Sequence, residues 1–258
     1  MRTTRGIRLC PALLTALCVA IAPGRLCAEQ SPARSALRDA AASTDWLLPN
    51  HSYSGQRHSP LTEIDRRTAA NLRPICTYAI GDGSRFASAP IVHRGVLYVT
   101  SGDSTIALDA ATCALRWRHE ANANGSPQRV GNAFKSGGVA LQEGKLVRAT
   151  SDGRLVALDA ASGKLLWSQQ VAGAGQYEFV TMAPLVFEDL AIVGIGIGEY
   201  GVRGWVGAFR LADGAPAWRF ATVPDDGEPG AETWSESDAR RRGGGGVWNT
   251  PHQSTAAV

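Results

Sequence analysis

Cysteine is scarce in this chain. Of five, Cys10, Cys18 and Cys27 fall in the first 28 residues, which leaves Cys76 and Cys113. No Cys-x-x-Cys-His occurs, so no c-type haem attachment site is written here. The five histidines, His51, His58, His93, His119 and His252, share no metal-ligand spacing and are assigned no chemistry. No Gly-x-Ser-x-Gly is present, which excludes a nucleophile-elbow hydrolase. Helical periodicity is missing beyond the N-terminus, apart from a short turn around Arg66–Asn71. No second apolar run is long enough to span a bilayer.

A strong charge of one sign is missing too. The whole chain carries 26 Lys+Arg against 23 Asp+Glu. The first 28 residues hold four arginines and no acid, so the remainder carries 22 against 23, a net of −1. That balance gives no electrostatic reason for nucleic-acid binding. Arg240-Arg241-Arg242, the only basic run, reads as a solvated loop.

What is present begins with a leader. Arg2, Arg5 and Arg8 precede an apolar stretch from Leu9 to Ala22, and Leu26-Cys27-Ala28 offers a cleavage site. This pattern predicts residues 1–28 as a secretory signal peptide and 29–258 as the exported domain. A lipid anchor at Cys27 is the rival, but Gly24-Arg25-Leu26 lacks the small-residue pattern it requires. Export implies an oxidising compartment, where the pair Cys76 and Cys113 is expected to form a disulfide. Two free buried thiols are the alternative.

The body of the chain is a repeat. Ala107-Leu108-Asp109 through Trp117, Ala157-Leu158-Asp159 through Trp167 and Ala208-Phe209-Arg210 through Trp218 are three eleven-residue units, spaced 50 and 51 residues apart. Each reads as a strand, a small or polar turn and a second strand ending in Trp. Two short β-type runs precede each unit: Ala89–Val92 and Val96–Thr100, Val139–Leu141 and Lys145–Ala149, then Pro184–Phe187 and Leu190–Ile195. Four short antiparallel strands at this period predict all-β propeller blades. A β-sandwich with coincidental spacing is the alternative. About three blades are written, with a fourth starting near Trp248. Propellers close with about four to eight blades, so the expectation is a truncated propeller or one that needs a partner.

These units resemble the tryptophan-docking motif of the PQQ-dependent quinoprotein alcohol dehydrogenases, the family that includes methanol dehydrogenase. Trp46-Leu47-Leu48-Pro49 with Ser54-Gly55-Gln56-Arg57-His58-Ser59-Pro60-Leu61 is similar to the family's N-terminal segment. Gly198-Glu199-Tyr200-Gly201 through Trp205 resembles its cofactor-site loop, and Gly243–Gly246 with Val247-Trp248 its Gly-rich stretch below the quinone. The resemblance runs from about Trp46 to Pro251. It implies an eight-bladed propeller, the cofactor pyrroloquinoline quinone (PQQ), and Ca²⁺ or a related hard cation. It further implies an alcohol substrate and a periplasmic cytochrome c-type electron acceptor.

The resemblance also assigns residues. Glu199 matches a glutamate that ligates the cation, a role suited to a hard carboxylate on a loop; its bland alternative is a turn glutamate paired with Arg203. Trp248 matches the tryptophan that stacks on the quinone; the alternative is a core tryptophan. Thr181 matches a threonine that hydrogen-bonds the cofactor's carboxylates, against an ordinary strand threonine. Gly198 belongs to the same cofactor loop. Gly196-Ile197-Gly198-Glu199-Tyr200-Gly201 also fits a dinucleotide fingerprint by letter, but the strand-like Val202–Phe209 follows it rather than a helix. Cys76 occupies a docking-Trp position and Cys113 the turn-Gly position of the next motif, so the resemblance implies a bond between neighbouring blades.

Several positions depart from the family. No vicinal cysteine pair lies near Gly131–Val139. The arginine expected beside the cofactor falls at Gly137, with Lys135 the nearest substitute; the acidic or amide residue expected before Ala89-Pro90 falls at Ala87. A threonine becomes Gly246 and a serine becomes Gly196. The catalytic aspartate, an arginine and an Asn ligand would fall past Val258, so no catalytic residue is assigned. Two rival functions stay open: a non-catalytic propeller scaffold of outer-membrane assembly, and a fragment without activity. The Glu199 loop and the Gly-rich run favour the enzyme.

Overall fold

The structure, a computed structural model, describes residues 32–80, 86–121, 136–173, 177–198, 200–234 and 237–252. The leader and its cleavage site lie outside the described residues, as do Lys135 and Glu199.

Twelve strands form three four-stranded antiparallel sheets in simple meander order. The first blade holds β1 (Ile91–His93), β2 (Val96–Ser101), β3 (Ser104–Asp109) and β4 (Leu115–Glu120). The second holds β5 (Ala140–Gln142), β6 (Lys145–Ala149), β7 (Arg154–Asp159) and β8 (Leu165–Gln170). The third holds β9 (Leu185–Phe187), β10 (Leu190–Gly194), β11 (Trp205–Arg210) and β12 (Pro216–Ala221). The hairpins follow from their turn residues. Arg94-Gly95 and Glu143-Gly144 both take positive φ at both positions, the geometry of a two-residue turn whose twist matches the strands.

The second and third strands of the first two blades are mostly buried, their side chains packing into the cores between blades and under the N-terminal segment. The fourth strands of the first two blades, β4 and β8, alternate exposed and half-buried residues, whereas β12 is exposed throughout. They run three residues past each Trp rather than ending there, since the ladder of β4 on β3 continues to Glu120 opposite Ser104. A register shift recurs at Ala107/Leu108, Ala157/Leu158 and Ala208/Phe209, so each blade kinks at the same place before its turn.

The eleven-residue unit docks one blade on the next. Trp117 Nε1 donates to Ala160 O (3.0 Å), and its ring lies where a Cβ on Gly163 would sit. Trp167 Nε1 donates to Leu211 O (3.1 Å), with its ring against Gly214. Gly163 and Gly214 hold φ of 70° and 76°, so two constraints demand glycine there. In the preceding slot Cys113 takes φ 57° at the glycine position, and a disulfide to Cys76 spans 5.7 Å between Cα atoms. A covalent bond thus replaces the ring-on-glycine contact. A cross-link over this separation of 37 residues is worth about 4 kcal/mol on chain entropy.

Two helices that the sequence pattern did not reveal are single turns: α1 (Arg34–Arg38) and α2 (Ser237–Arg241). Each is too short for a 3.6-residue period to show. The basic run is not a solvated loop: Arg240 and Arg241 on α2 both pair with Asp226.

The N-terminal segment crosses the first strands of all three blades. Trp46 pairs with Val92 of β1, Glu143 N donates to Pro32 O at the β5–β6 turn, and Tyr53 Oη donates to Val186 O of β9 (2.7 Å). Leu37, Ala40, Leu47, Leu48 and Tyr53 enter the main core with residues of the second and third blades.

Candidate cofactor site

The loops that lead into β1, β5 and β9 converge at one end of the blades. Ala89 N donates to Gly137 O (2.9 Å), which fixes the first loop on the second. Gly137 packs against the 181–183 backbone, where an added Cβ would lie 2.6 Å from Ala183 N and 2.7 Å from Thr181 O. No side chain fits at 137 on this backbone.

The Gly-rich run is a fitted strap here. Val247 N donates to Ile195 O (2.7 Å), Gly244 N to Val202 O (3.1 Å), and Gly204 N to Gly244 O (2.8 Å). Backbone meets backbone: a Cβ on Gly198 would lie 2.8 Å from Gly244 Cα, and one on Gly204 would lie 2.1 Å from Gly245 O. Gly243–Gly246 is thus a strap fixed at defined contacts. Past the strap, Thr250 Oγ1 donates to Ala183 O (2.8 Å), which holds Trp248 between two anchored points.

These segments enclose an open cavity of about 400 Å³. Thr181, Met182 and Ala183 form one wall; Ala87, Ala89 and Gly137 form another; Trp248, Asn249, Thr250 and His252 form a third; and Pro49, Asn50 and Arg57 close the rim. Trp248 is 63 % exposed, so its indole is presented rather than packed away. Among the described residues, the lining holds no aspartate or glutamate.

Of the residues singled out in the sequence, Thr181 and Trp248 line this cavity together. Gly198 lies against the strap behind it, and Glu199 falls outside the described residues. Arg203, the alternative partner of Glu199, donates to the Asp225 carboxylate and to Val223 O. Gly196 abuts Thr181, whose Oγ1 lies 2.2 Å from where a Cβ at 196 would stand. The serine-to-glycine departure therefore makes the room that this Thr181 rotamer occupies. Among the described residues no group of three or more His, Cys, Asp or Glu gathers to hold a metal. Asn50, Arg57, Asn249, Thr250 and His252 were given no role in the sequence. Their place at the cavity arises from contacts between segments distant in sequence; only Arg57 lies in a segment that resembles the family, and that resemblance carries no site role for it.

Four-stranded blades docked by tryptophan around an end-on cavity define a β-propeller of the quinoprotein type. Residues 46–253 match the family described as PQQ: glucose/ethanol/alcohol dehydrogenase, beta-propeller domain. The quinohemoprotein alcohol dehydrogenase ADH IIB of Pseudomonas putida is 38 % identical over 224 residues, 81 % of this chain and 32 % of that protein. The lanthanide-dependent methanol dehydrogenase of Methylacidiphilum fumariolicum is 30 % identical over 226 residues, 79 % of this chain and 37 % of that protein. The solved quinohemoprotein alcohol dehydrogenase ADHIIG of Pseudomonas putida superposes with a TM-score of 0.78 at 30 % identity, covering 86 % of this chain and 34 % of that one. The chain belongs to the PQQ-dependent dehydrogenase family. It spans about a third of the length of the curated relatives it matches.

Proposed function

We propose that the protein is a PQQ-dependent dehydrogenase that oxidises an alcohol-type substrate, and that this cavity is where the chain holds its cofactor. The observation that carries the reading is the cavity itself. An exposed indole face and a threonine hydroxyl meet there in a space free of carboxylates. A planar aromatic polycarboxylate suits such a lining, and the volume lies within the roughly 300–1,000 Å³ usual for small-molecule sites.

On this proposal Trp248 supplies the stacking plane. The strap fixes its height, and Thr181 donates to a cofactor carboxylate. Glu199, beside Gly198, supplies a carboxylate oxygen for Ca²⁺ or a lanthanide ion. PQQ, when bound, supplies a two-electron acceptor for the alcohol, and a hard cation acts on it as a Lewis acid. This chain's residues bind and orient; none is assigned as the base that takes the hydroxyl proton. The proposal includes a cleaved leader over residues 1–28, a propeller domain over 29–258, a periplasmic location and a cytochrome c-type acceptor. No helix among the described residues is long and apolar enough to cross a membrane.

The test is equilibrium dialysis of the 258-residue chain against PQQ with Ca²⁺ or La³⁺. Binding is expected, weakened about tenfold by Trp248→Ala and less by Trp248→Phe. Glu199→Gln is expected to remove the cation dependence. Equal PQQ affinity in wild type and Trp248→Ala would sink the reading.

A further inference from the structure

We propose that Arg57 is the carboxylate anchor of the cavity. This inference rests on the cofactor reading above but is separately testable.

The lining offers an anionic ligand few options. Position 137 has no room for a side chain, because the 181–183 backbone fills it. Ala87 has no polar side-chain atom. Among the described residues that line the cavity, Arg57 carries the only Lys or Arg side chain, and no carboxylate of that lining neutralises it. Its Nε donates to Asn50 Oδ1 (2.8 Å), itself a lining residue, so the guanidinium is aimed along the rim. No ion pair among the described residues engages its two terminal nitrogens. A guanidinium fork left in this state matches a carboxylate in geometry and charge.

The backbone around Arg57 is held in place. Arg57 sits at φ 54°, a conformation that non-glycine residues adopt at a cost. Two residues earlier, Gly55 packs on the His252 ring, 2.2 Å from where its Cβ would lie. That contact ties the 54–57 loop to the wall that carries Trp248. Arg57 and Trp248 thus line one space: a plane to stack on and a cation to hold an edge. The anchor selects ring systems that carry a carboxylate at their rim.

The experiment measures dissociation constants for three probes on the full chain: PQQ, benzene-1,3,5-tricarboxylate and the uncharged 1,10-phenanthroline-5,6-dione. Arg57→Gln is expected to weaken PQQ and the tricarboxylate about tenfold or more, as for a lost charged hydrogen bond. Arg57→Lys is expected to lose less, and the uncharged quinone is expected to bind all three proteins alike. Unchanged PQQ affinity in Arg57→Gln overturns the anchor and leaves the cofactor reading standing. Equal loss for the charged and uncharged probes also overturns it, since the effect is then one of shape. Arg57-dependent binding of the tricarboxylate without PQQ binding supports the anchor and removes the cofactor reading. Failure of the wild type to bind either carboxylated probe removes both.

Discussion

Two charged residues show how differently this chain uses ions. Arg148 is fully buried between the first and second blades. It donates to Gly102 O (2.7 Å), Ser104 O (2.8 Å), Ala149 O (2.9 Å) and Thr105 Oγ1 (3.2 Å), so backbone carbonyls, not a carboxylate, receive its charge. Burial pushes its pKa down to about 10, which still leaves it charged at neutral pH. Arg148→Met fills the space but orphans three buried carbonyls. Chemical denaturation should show a loss of about 3 kcal/mol or more. Asp109 acts at the surface. Its carboxylate accepts from Arg116, Thr112 and Ala111 in the docking turn, and the Arg116 hydrogen bond leads in holding its pKa near 2, below the ordinary 3.8. An acid with a depressed folded pKa favours folding while ionised. That contribution is complete above roughly pH 5 and is lost as the pH falls towards 2. Asp109→Asn should therefore lower the melting temperature clearly at pH 7 and much less at pH 2, where the carboxylate is about half protonated. A constant difference across that range would contradict the assignment.

At the scale of the element, the docking tryptophans give a graded prediction. Trp117 and Trp167 are half-buried against Gly163 and Gly214, whereas Trp218, at the same place in the third blade, is 44 % exposed. Trp117→Ala and Trp167→Ala should each cost about 3 kcal/mol, and Trp218→Ala under about 1 kcal/mol, by urea unfolding. Three equal losses would show that the docking contact is not what the ring contributes. The same elements mark what the sequence makes legible. The 50-residue period, the Gly-bearing turns and the alternating strands all write local rules, so the blades could be read before any coordinates. Cys76 and Cys113 could be placed because the resemblance to the family's docking motif aligns them with a Trp and a Gly. The cavity was half legible: Trp248 and Thr181 sit on motifs. Arg57 lies in the family-like N-terminal segment, which carries no site role, and His252 sits on no motif; loop 54–57 and wall 248–252 meet only through tertiary packing. The helical turns α1 and α2 escaped for the opposite reason, being too short to carry a period.

For the molecule as a whole, the question is why three blades act together. Each blade is a local meander that touches its neighbours, so a row of them resembles a repeat array, in which parts can unfold separately. Two links oppose that. One is the blade-to-blade docking through Trp117, Trp167 and Arg148. The other is the N-terminal segment, which reaches every blade through Trp46, Pro32 and Tyr53. Burial at the ninth strand pushes the Tyr53 phenol up to about 12, so it remains a donor to Val186 O throughout the usable pH range. If the segment is the common link, cutting its two end contacts should uncouple the blades more than it destabilises any one of them. Trp46→Pro, which removes the N–H that donates to Val92 O, with Tyr53→Phe is expected to turn a single urea transition into a broader one with a lower m-value, while the far-ultraviolet signal per blade persists. Tyr53→Phe alone should cost about 1 kcal/mol and keep one sharp transition. A double variant that unfolds as sharply as the wild type would assign the coupling to the docking contacts instead, and the Trp117→Ala and Trp167→Ala proteins would then be the ones to lose cooperativity.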